Sequence, residues 1–238
     1  MSGNRPAVIL LSGGLDSAVA LATCRRDGFE PFALTIDYGQ RHRIELDCAR
    51  DLAAALRVRR HIVLNVDLTR WGGSALTSAI DVPTRRGMDA MSRGIPATYV
   101  PARNTIFLSL AMGWAETLKS GDIFIGAHSL DYSGYPDCRP EYFEAFARMA
   151  ELATKTGVEG THWQIHAPLL HMTKADIVRL GVSLGVPFEH TMSCYQPGAD
   201  ADGVIACGIC DACVIRRNAF AALGANDPLR YSSSREQS

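Results

Sequence analysis

A run of five apolar residues, Ala7-Val8-Ile9-Leu10-Leu11, leads directly into Ser12-Gly13-Gly14-Leu15-Asp16-Ser17. A short continuous apolar run reads as a strand buried on both faces, the condition of a strand inside a parallel sheet. From Leu15 to Arg26 the apolar residues fall at helical spacing, so a helix follows. The turn between strand and helix holds two glycines flanked by hydroxyls. Glycine permits a positive φ and lets a ligand approach the backbone closely. The helix start adds unpaired N–H groups and the positive end of the dipole, which together make a cradle for phosphate. A tight turn capped by Ser12 would account for a lone Gly-Gly, so the surrounding residues must decide.

Two common phosphate loops do not fit, because neither G-x-x-x-x-G-K-[ST] nor G-x-G-x-x-G follows the strand. The stretch S-G-G-L-D-S instead resembles the pyrophosphate (PP) loop of the ATP-pyrophosphatase superfamily, whose members adenylate a carbonyl or carboxyl oxygen. That resemblance implies an adenine nucleotide alpha hydrolase-like fold. It also implies that Leu11, Ser12, Gly13, Gly14, Leu15, Asp16 and Ser17 hold the β,γ-phosphates of ATP, with Asp16 acting through Mg²⁺.

The remaining chain alternates strand and helix signals. Pro31–Asp37 reads as a second strand ending in the polar and aromatic cluster Asp37-Tyr38-Gly39-Gln40-Arg41-His42, before a helix from Glu45 to Leu56. His61–Val66 reads as a third strand. The stretch 67–98 has no clear period and contains several glycines and prolines, so it is expected to form part of a substrate lid. Val100-Pro101-Ala102-Arg103-Asn104 opens an apolar helix from Thr105 to Lys119, and Asp122–Ala127 is the next strand. Arg103 and Asn104 suit either a helix cap or a contact to nucleotide or substrate. Alternation throughout predicts an α/β fold with a doubly wound parallel sheet, whose ligands bind at the carboxyl edge.

The loop after that strand carries Asp131, Tyr132, Ser133, Tyr135, Asp137 and Arg139. Aromatic faces can stack on a flat heterocycle while carboxylates accept from its N–H groups, although Gly134 and Pro136 would also make an ordered turn. Pro140 to Thr156 reads as one helix, with Phe143, Phe146, Met149 and Leu152 as a core stripe. Trp163–Ala167 is a short strand. Thr173 and Asp176 then approximate a capping box. Lys174 stands at the helix N-terminus, where a cation opposes the dipole; a surface lysine in water or a phosphate contact would account for it, and the phosphate contact is preferred.

With 238 residues the chain can bury one sizeable core. A net charge of −1 gives no global field to hold a nucleic-acid backbone, which favours small-molecule partners and no direct nucleic-acid contact. No signal peptide is visible, and no apolar run approaches the roughly 20 residues a bilayer span needs, so a cytoplasmic protein without membrane association is expected. In that reduced compartment, seven cysteines argue for metal binding over disulfides. Four of them, Cys194, Cys207, Cys210 and Cys213, stand in C-x12-C-x2-C-x2-C spacing. Four thiolates suit a closed structural Zn²⁺ site, and the spacing alone also admits an iron–sulfur cluster. The expected organisation is a PP-loop domain over 1–190 and a small zinc-binding region over 191–238.

Taken together, S-G-G-L-D-S, D-Y-G-Q-R-H, V-P-A-R-N, D-Y-S-G-Y-P-D-C-R, S-C-Y and C-G-I-C-D-A-C resemble the 7-cyano-7-deazaguanine synthase family of the queuosine pathway, nearly end to end. The resemblance implies a nitrile-forming ATP-dependent C–N ligase acting on 7-carboxy-7-deazaguanine and ammonia, and a homodimer. It implies Asp16, Lys174 and Arg103 as catalytic residues. Tyr38, Gln40, Arg41, Arg103, Asn104, Asp131, Tyr132, Ser133, Tyr135, Asp137 and Arg139 would bind substrate. Two rival classes are a tRNA-thiolating or amidating relative, which would favour a basic RNA-binding region, and a non-catalytic nucleotide-binding protein.

Overall fold

The computed structural model describes residues 5–40, 43–86, 95–128, 135–201 and 203–232. The N-terminal apolar run forms β1 (Arg5–Leu10), and its side chains divide by parity between two cores. Ala7 and Ile9, with Leu11 beyond the strand, enter one core; Val8 and Leu10 enter the other. Period-two alternation makes both sets apolar only when both faces are covered.

Around β1 lie β2 (Phe29–Asp37), β3 (Arg60–Asn65), β4 (Asp122–Phe124) and β5 (Gln164–His166), all parallel, in the order β3-β2-β1-β4-β5. The order reverses between β1 and β4. Loops leaving these two strands therefore diverge and open a crevice at their carboxyl ends. The expected doubly wound parallel sheet is present.

One face of the sheet is covered by α1 (Leu15–Arg26), α2 (Ile44–Ala55), α6 (Lys174–Ser183) and α7 (Asp211–Ala222), which share a core through Ala18, Leu52, Ile177 and Phe220. The other face carries α3 (Arg103–Thr117) and α4 (Pro140–Ala153), packed through Leu108, Ala111, Phe143 and Phe146. α5 (Lys155–Val158) is a single turn, and β6 (Gly198–Asp200) pairs antiparallel with β7 (Gly203–Ile205) near the cysteines. No helix among the described residues is long and apolar enough to cross a membrane.

Three expectations change. The helix read through Thr156 ends at Ala153, because Thr154 takes an extended conformation (φ −116°, ψ 150°) and its side chain accepts from Gly157 N, capping α5 instead. Its apolar stripe is core only at the start: Phe143 and Phe146 are buried, whereas Leu152 is 83% exposed. Three successive i+3 steps turn through about half a revolution, so Leu152 faces away from Phe143; Ala150 occupies the core face instead. Finally, the described part of the 67–98 stretch is fastened down. Ala75 N donates to Ala97 O at 2.8 Å, Arg85 N donates to Ile209 O at 3.0 Å, and Arg86 pairs with Asp211. Leu76 lines the crevice, but as part of a packed wall. Residues 87–94 of that stretch lie outside the described residues.

Candidate active site

The crevice at the β1/β4 switch point is a cleft of about 300 Å³. Its floor is the loop after β1. Gly13 has φ +84°, and a Cβ placed on it would stand 2.1 Å from the backbone oxygen of Glu45, so only glycine lets α2 pack against the loop. The hydroxyls knit the loop together. Ser12 Oγ donates to Ser17 Oγ at 3.1 Å, Ser17 Oγ donates to Gly14 O at 2.9 Å, and Gly14 N donates to Ser12 Oγ at 3.3 Å. The N–H groups of Leu15, Asp16 and Ser17 open α1, where a helix leaves its donors without intrahelical partners. A loop of this geometry at a helix start can cradle an anion. Gly126, after β4, presses on it from the side; a Cβ there would lie 2.8 Å from Asp16 C and Ser17 N.

Asp16 and Lys174, 158 residues apart, meet above this floor. Lys174 Nζ donates to both Asp16 carboxylate oxygens at 2.8 Å and lies 2.9 Å from His128 Nε2. The expected capping box, Thr173 with Asp176, fixes the start of α6 and so aims Lys174 inward. Its anion in this structure is therefore Asp16. Burial alone would raise the Asp16 carboxyl, but Lys174 and His128 outweigh it and hold Asp16 below its ordinary value of 3.8.

On the far wall stand Tyr38 and Phe107, ring centroids 5.5 Å apart, with the Arg103 guanidinium 5.9 Å over the Tyr38 ring. Arg103 is the first residue of α3. It follows Ala102, whose positive φ of 54° turns the chain sharply there. Gln40, Asn104 and Tyr135 also line the cleft. Gln40 turns its Oε1 back to accept from Tyr38 N at 2.9 Å, and the Tyr135 hydroxyl lies 3.1 Å from Thr98 Oγ1.

Asp137 and Arg139 do not join this group. Asp137 is buried beneath it, accepting from Asn104 N at 3.1 Å and capping α3. Arg139 is exposed at the start of α4. Arg41, Asp131, Tyr132 and Ser133 lie outside the described residues. Cys138 lines the cleft, but burial pushes its thiol up to about 12, so it offers no thiolate nucleophile.

Sequence reasoning missed Glu45, His128 and Arg216, all of which line the cleft. No local motif marks them. Burial raises the Glu45 carboxyl from 4.5 to about 7, with Arg103 opposing the rise. Between those values the folded protein keeps a proton that the unfolded chain has lost. The contribution to stability is therefore full below about pH 4.5 and is lost as pH rises through 7. Glu45→Gln stays neutral throughout. It is expected to exceed the parent's stability by about 1–2 kcal/mol at pH 8 and to match it near pH 4.5. Urea denaturation at the two pH values checks this, and an identical pH dependence in both proteins would refute the assignment.

The second cluster could hold a metal ion. The Sγ atoms of Cys194, Cys207, Cys210 and Cys213 all lie within 4.8 Å of one another, with Cys207 and Cys213 at 3.9 Å. Four bonds of about 2.3 Å in a tetrahedron set sulfurs about 3.8 Å apart. Cys207 N donates to Cys194 Sγ at 3.2 Å, and Cys210 N donates to Cys207 Sγ at 3.3 Å; such donors favour thiolates. The donor set fits a single four-coordinate ion and is too tight for a four-iron cluster.

Residues 6–224 match a family model described as queuosine biosynthesis protein QueC. The chain is 57% identical over 228 residues to a 7-cyano-7-deazaguanine synthase of Kineococcus radiotolerans, covering 96% of this chain and 98% of that one. Relatives of the same description from Cupriavidus necator and Myxococcus xanthus are also 57% identical, over 229 and 228 residues, with the same coverage.

Proposed function

We infer the reaction from one premise: the chain belongs to the queuosine biosynthesis protein QueC family. Its activity is that of a 7-cyano-7-deazaguanine synthase, an ATP-dependent ligase that turns 7-carboxy-7-deazaguanine and ammonia into the nitrile. A carboxylate is a poor electrophile, since its leaving group would be oxide. Transfer of an adenylyl group from ATP to the carboxylate releases pyrophosphate and supplies a leaving group. Ammonia then displaces AMP to give the amide. A second adenylation, now of the amide oxygen, allows loss of AMP and of the nitrogen's protons to form the nitrile.

In this reading the loop from Leu11 to Ser17 holds the ATP phosphates, and Asp16 works through Mg²⁺, which supplies charge neutralisation when bound. Lys174 is the mobile cation of the site, exchanging its hold on Asp16 for phosphate oxygens. Arg103 meets the substrate carboxylate, and Tyr38, Gln40, Asn104 and Tyr135 contact the flat ring. Asp131, Tyr132 and Ser133 are further substrate-binding residues in this reading. The chain's share of catalysis is positioning and charge stabilisation, with no side-chain nucleophile. The metal at the four cysteines is zinc with a structural role. A cytoplasmic homodimer working on small molecules belongs to the same reading.

The observation that supports this most is the meeting of the glycine loop, Asp16 and Lys174 at the switch point of the sheet. The decisive experiment incubates purified protein with MgATP, ammonium and 7-carboxy-7-deazaguanine and follows products by mass spectrometry. Nitrile is expected with ATP and none without it. No product from protein that still binds ATP would replace this substrate with another.

A further inference from the structure

The two clusters are joined by a four-residue segment, 191–194. Cys194 is one of the four thiols. Two residues earlier, Met192 N donates to Gly13 O at 3.0 Å. A trans peptide is planar, so holding the Gly13 carbonyl also sets the direction of the Gly14 N–H in the same plane. One end of the segment is thus tied to the metal ligands, and its middle orients the phosphate loop.

The other end is gripped by Arg216, one turn beyond Cys213 on α7. Its side chain is 2% exposed. Nη1 donates to Thr191 Oγ1 at 2.7 Å and to Thr191 O at 3.3 Å, and Nη2 donates to Phe188 O at 3.1 Å. Nε and Nη2 are paired with the two carboxylate oxygens of Asp227 at 2.8 and 2.9 Å. Removing a guanidinium from water is expensive, and apolar residues often replace buried ion pairs without loss of stability. What an apolar residue cannot supply is the rigid fork that fixes Thr191 at both its hydroxyl and its carbonyl.

We propose that Arg216 is a positioning residue for the phosphate loop, and that through it and residues 191–194 the four-cysteine centre sets how tightly the chain holds ATP. This rests on the reading of the loop as the ATP site. Arg216 orders Thr191, Thr191 places Met192, and Met192 holds Gly13. The metal fixes the same segment from Cys194 and fixes α7 from Cys210 and Cys213. Nucleotide affinity and metal occupancy are then linked.

The test is Arg216→Met in the full-length, metal-loaded protein. It combines calorimetric titration with MgATP, metal content by elemental analysis, and hydrogen exchange at the Met192 amide. Affinity for MgATP is expected to fall about 10- to 100-fold, with metal content unchanged and protection of the Met192 amide lost. The KM for 7-carboxy-7-deazaguanine at saturating ATP should stay within about twofold of the parent, a split that general destabilisation would not produce. Unchanged ATP affinity and unchanged Met192 protection in a folded variant would overturn the proposal. If Arg216→Met does not fold, Thr191→Val removes one acceptor and leaves the Asp227 pair intact. It should shift both readouts in the same direction by a smaller amount, and no shift would overturn the proposal. A parent protein that binds no MgATP would instead refute the ATP reading of the loop, and Met192 exchange would still decide whether Arg216 positions it.

Discussion

Asp16→Ala is expected to lower nitrile formation by a factor of 10³ or more while leaving the fold in place. Two effects add. The carboxylate through which Mg²⁺ is engaged disappears, and removing one group that stabilises developing charge in a closed site costs about 10²–10³ in rate on its own. Lys174 also loses the anion that holds it, since its Nζ donates to both Asp16 oxygens at 2.8 Å. An ammonium left part-buried beside His128 without that anion is no longer held in place, and the site loses a placed positive charge.

Stability should fall far less than activity, and chiefly because the Lys174 ammonium loses its partner. The Asp16 side chain is 27% exposed and contributes nothing to either core. Alanine is the better helix former, which offsets the loss of a first-turn carboxylate, an interaction of about 0.3–1 kcal/mol. Asp16→Asn separates charge from shape. It retains size and hydrogen-bonding capacity, so activity as low as in Asp16→Ala would identify the negative charge as the active ingredient. The measurements are product formation by mass spectrometry and thermal unfolding by circular dichroism. Activity within tenfold of the parent in either variant would remove Asp16 from the mechanism.

These effects meet at a site whose parts were unequally visible beforehand. The phosphate loop was legible because its logic is local. Strand, two glycines and helix start lie within 20 residues, and each imposes its own composition. The four cysteines were legible for the same reason, three of them falling within one turn and a helix start. The pairing of Asp16 with Lys174 was not, although both residues stood out. Lys174 was expected to meet a phosphate, and its partner across 158 residues depends on how α6 is laid against α1 and α7. Glu45, His128 and Arg216 were passed over because each stands beside a more conspicuous motif and carries none of its own; only the fold turns them toward the cleft. Asp137 shows the converse. In a loop rich in tyrosine it resembles a ligand-binding carboxylate, yet in space it caps α3 through Asn104 N. The broken helix at Thr154 follows the same rule. A threonine can stay in a helix or cap the next turn, and the tertiary neighbours settle which.

Cys210→Ala should lose the metal and melt about 10 °C or more below the parent. Cys210 is fully buried and stands at the N-terminus of α7, where Val214 N donates to its carbonyl. It also bridges to Thr84, fastening the 74–86 stretch to the cysteine region. Three thiolates leave the ion an open position and a much weaker site, and in a closed structural site binding free energy is folding free energy. A loss of about 3–5 kcal/mol in a chain of this size corresponds to roughly 10 °C. Cys24→Ala is the control. Cys24 is equally buried, in α1, and far from the cluster in sequence, so it reports the cost of deleting a buried sulfur alone, about 1 kcal/mol. Elemental analysis should find about one metal per chain in the parent and in Cys24→Ala, and almost none in Cys210→Ala. Because residues 191–194 link the cluster to Gly13, ATP affinity in Cys210→Ala should fall with the metal, whereas Cys24→Ala should bind ATP like the parent. Equal melting temperatures and equal metal content in the two variants would mean that the cysteines hold no ion, and that their convergence serves packing alone.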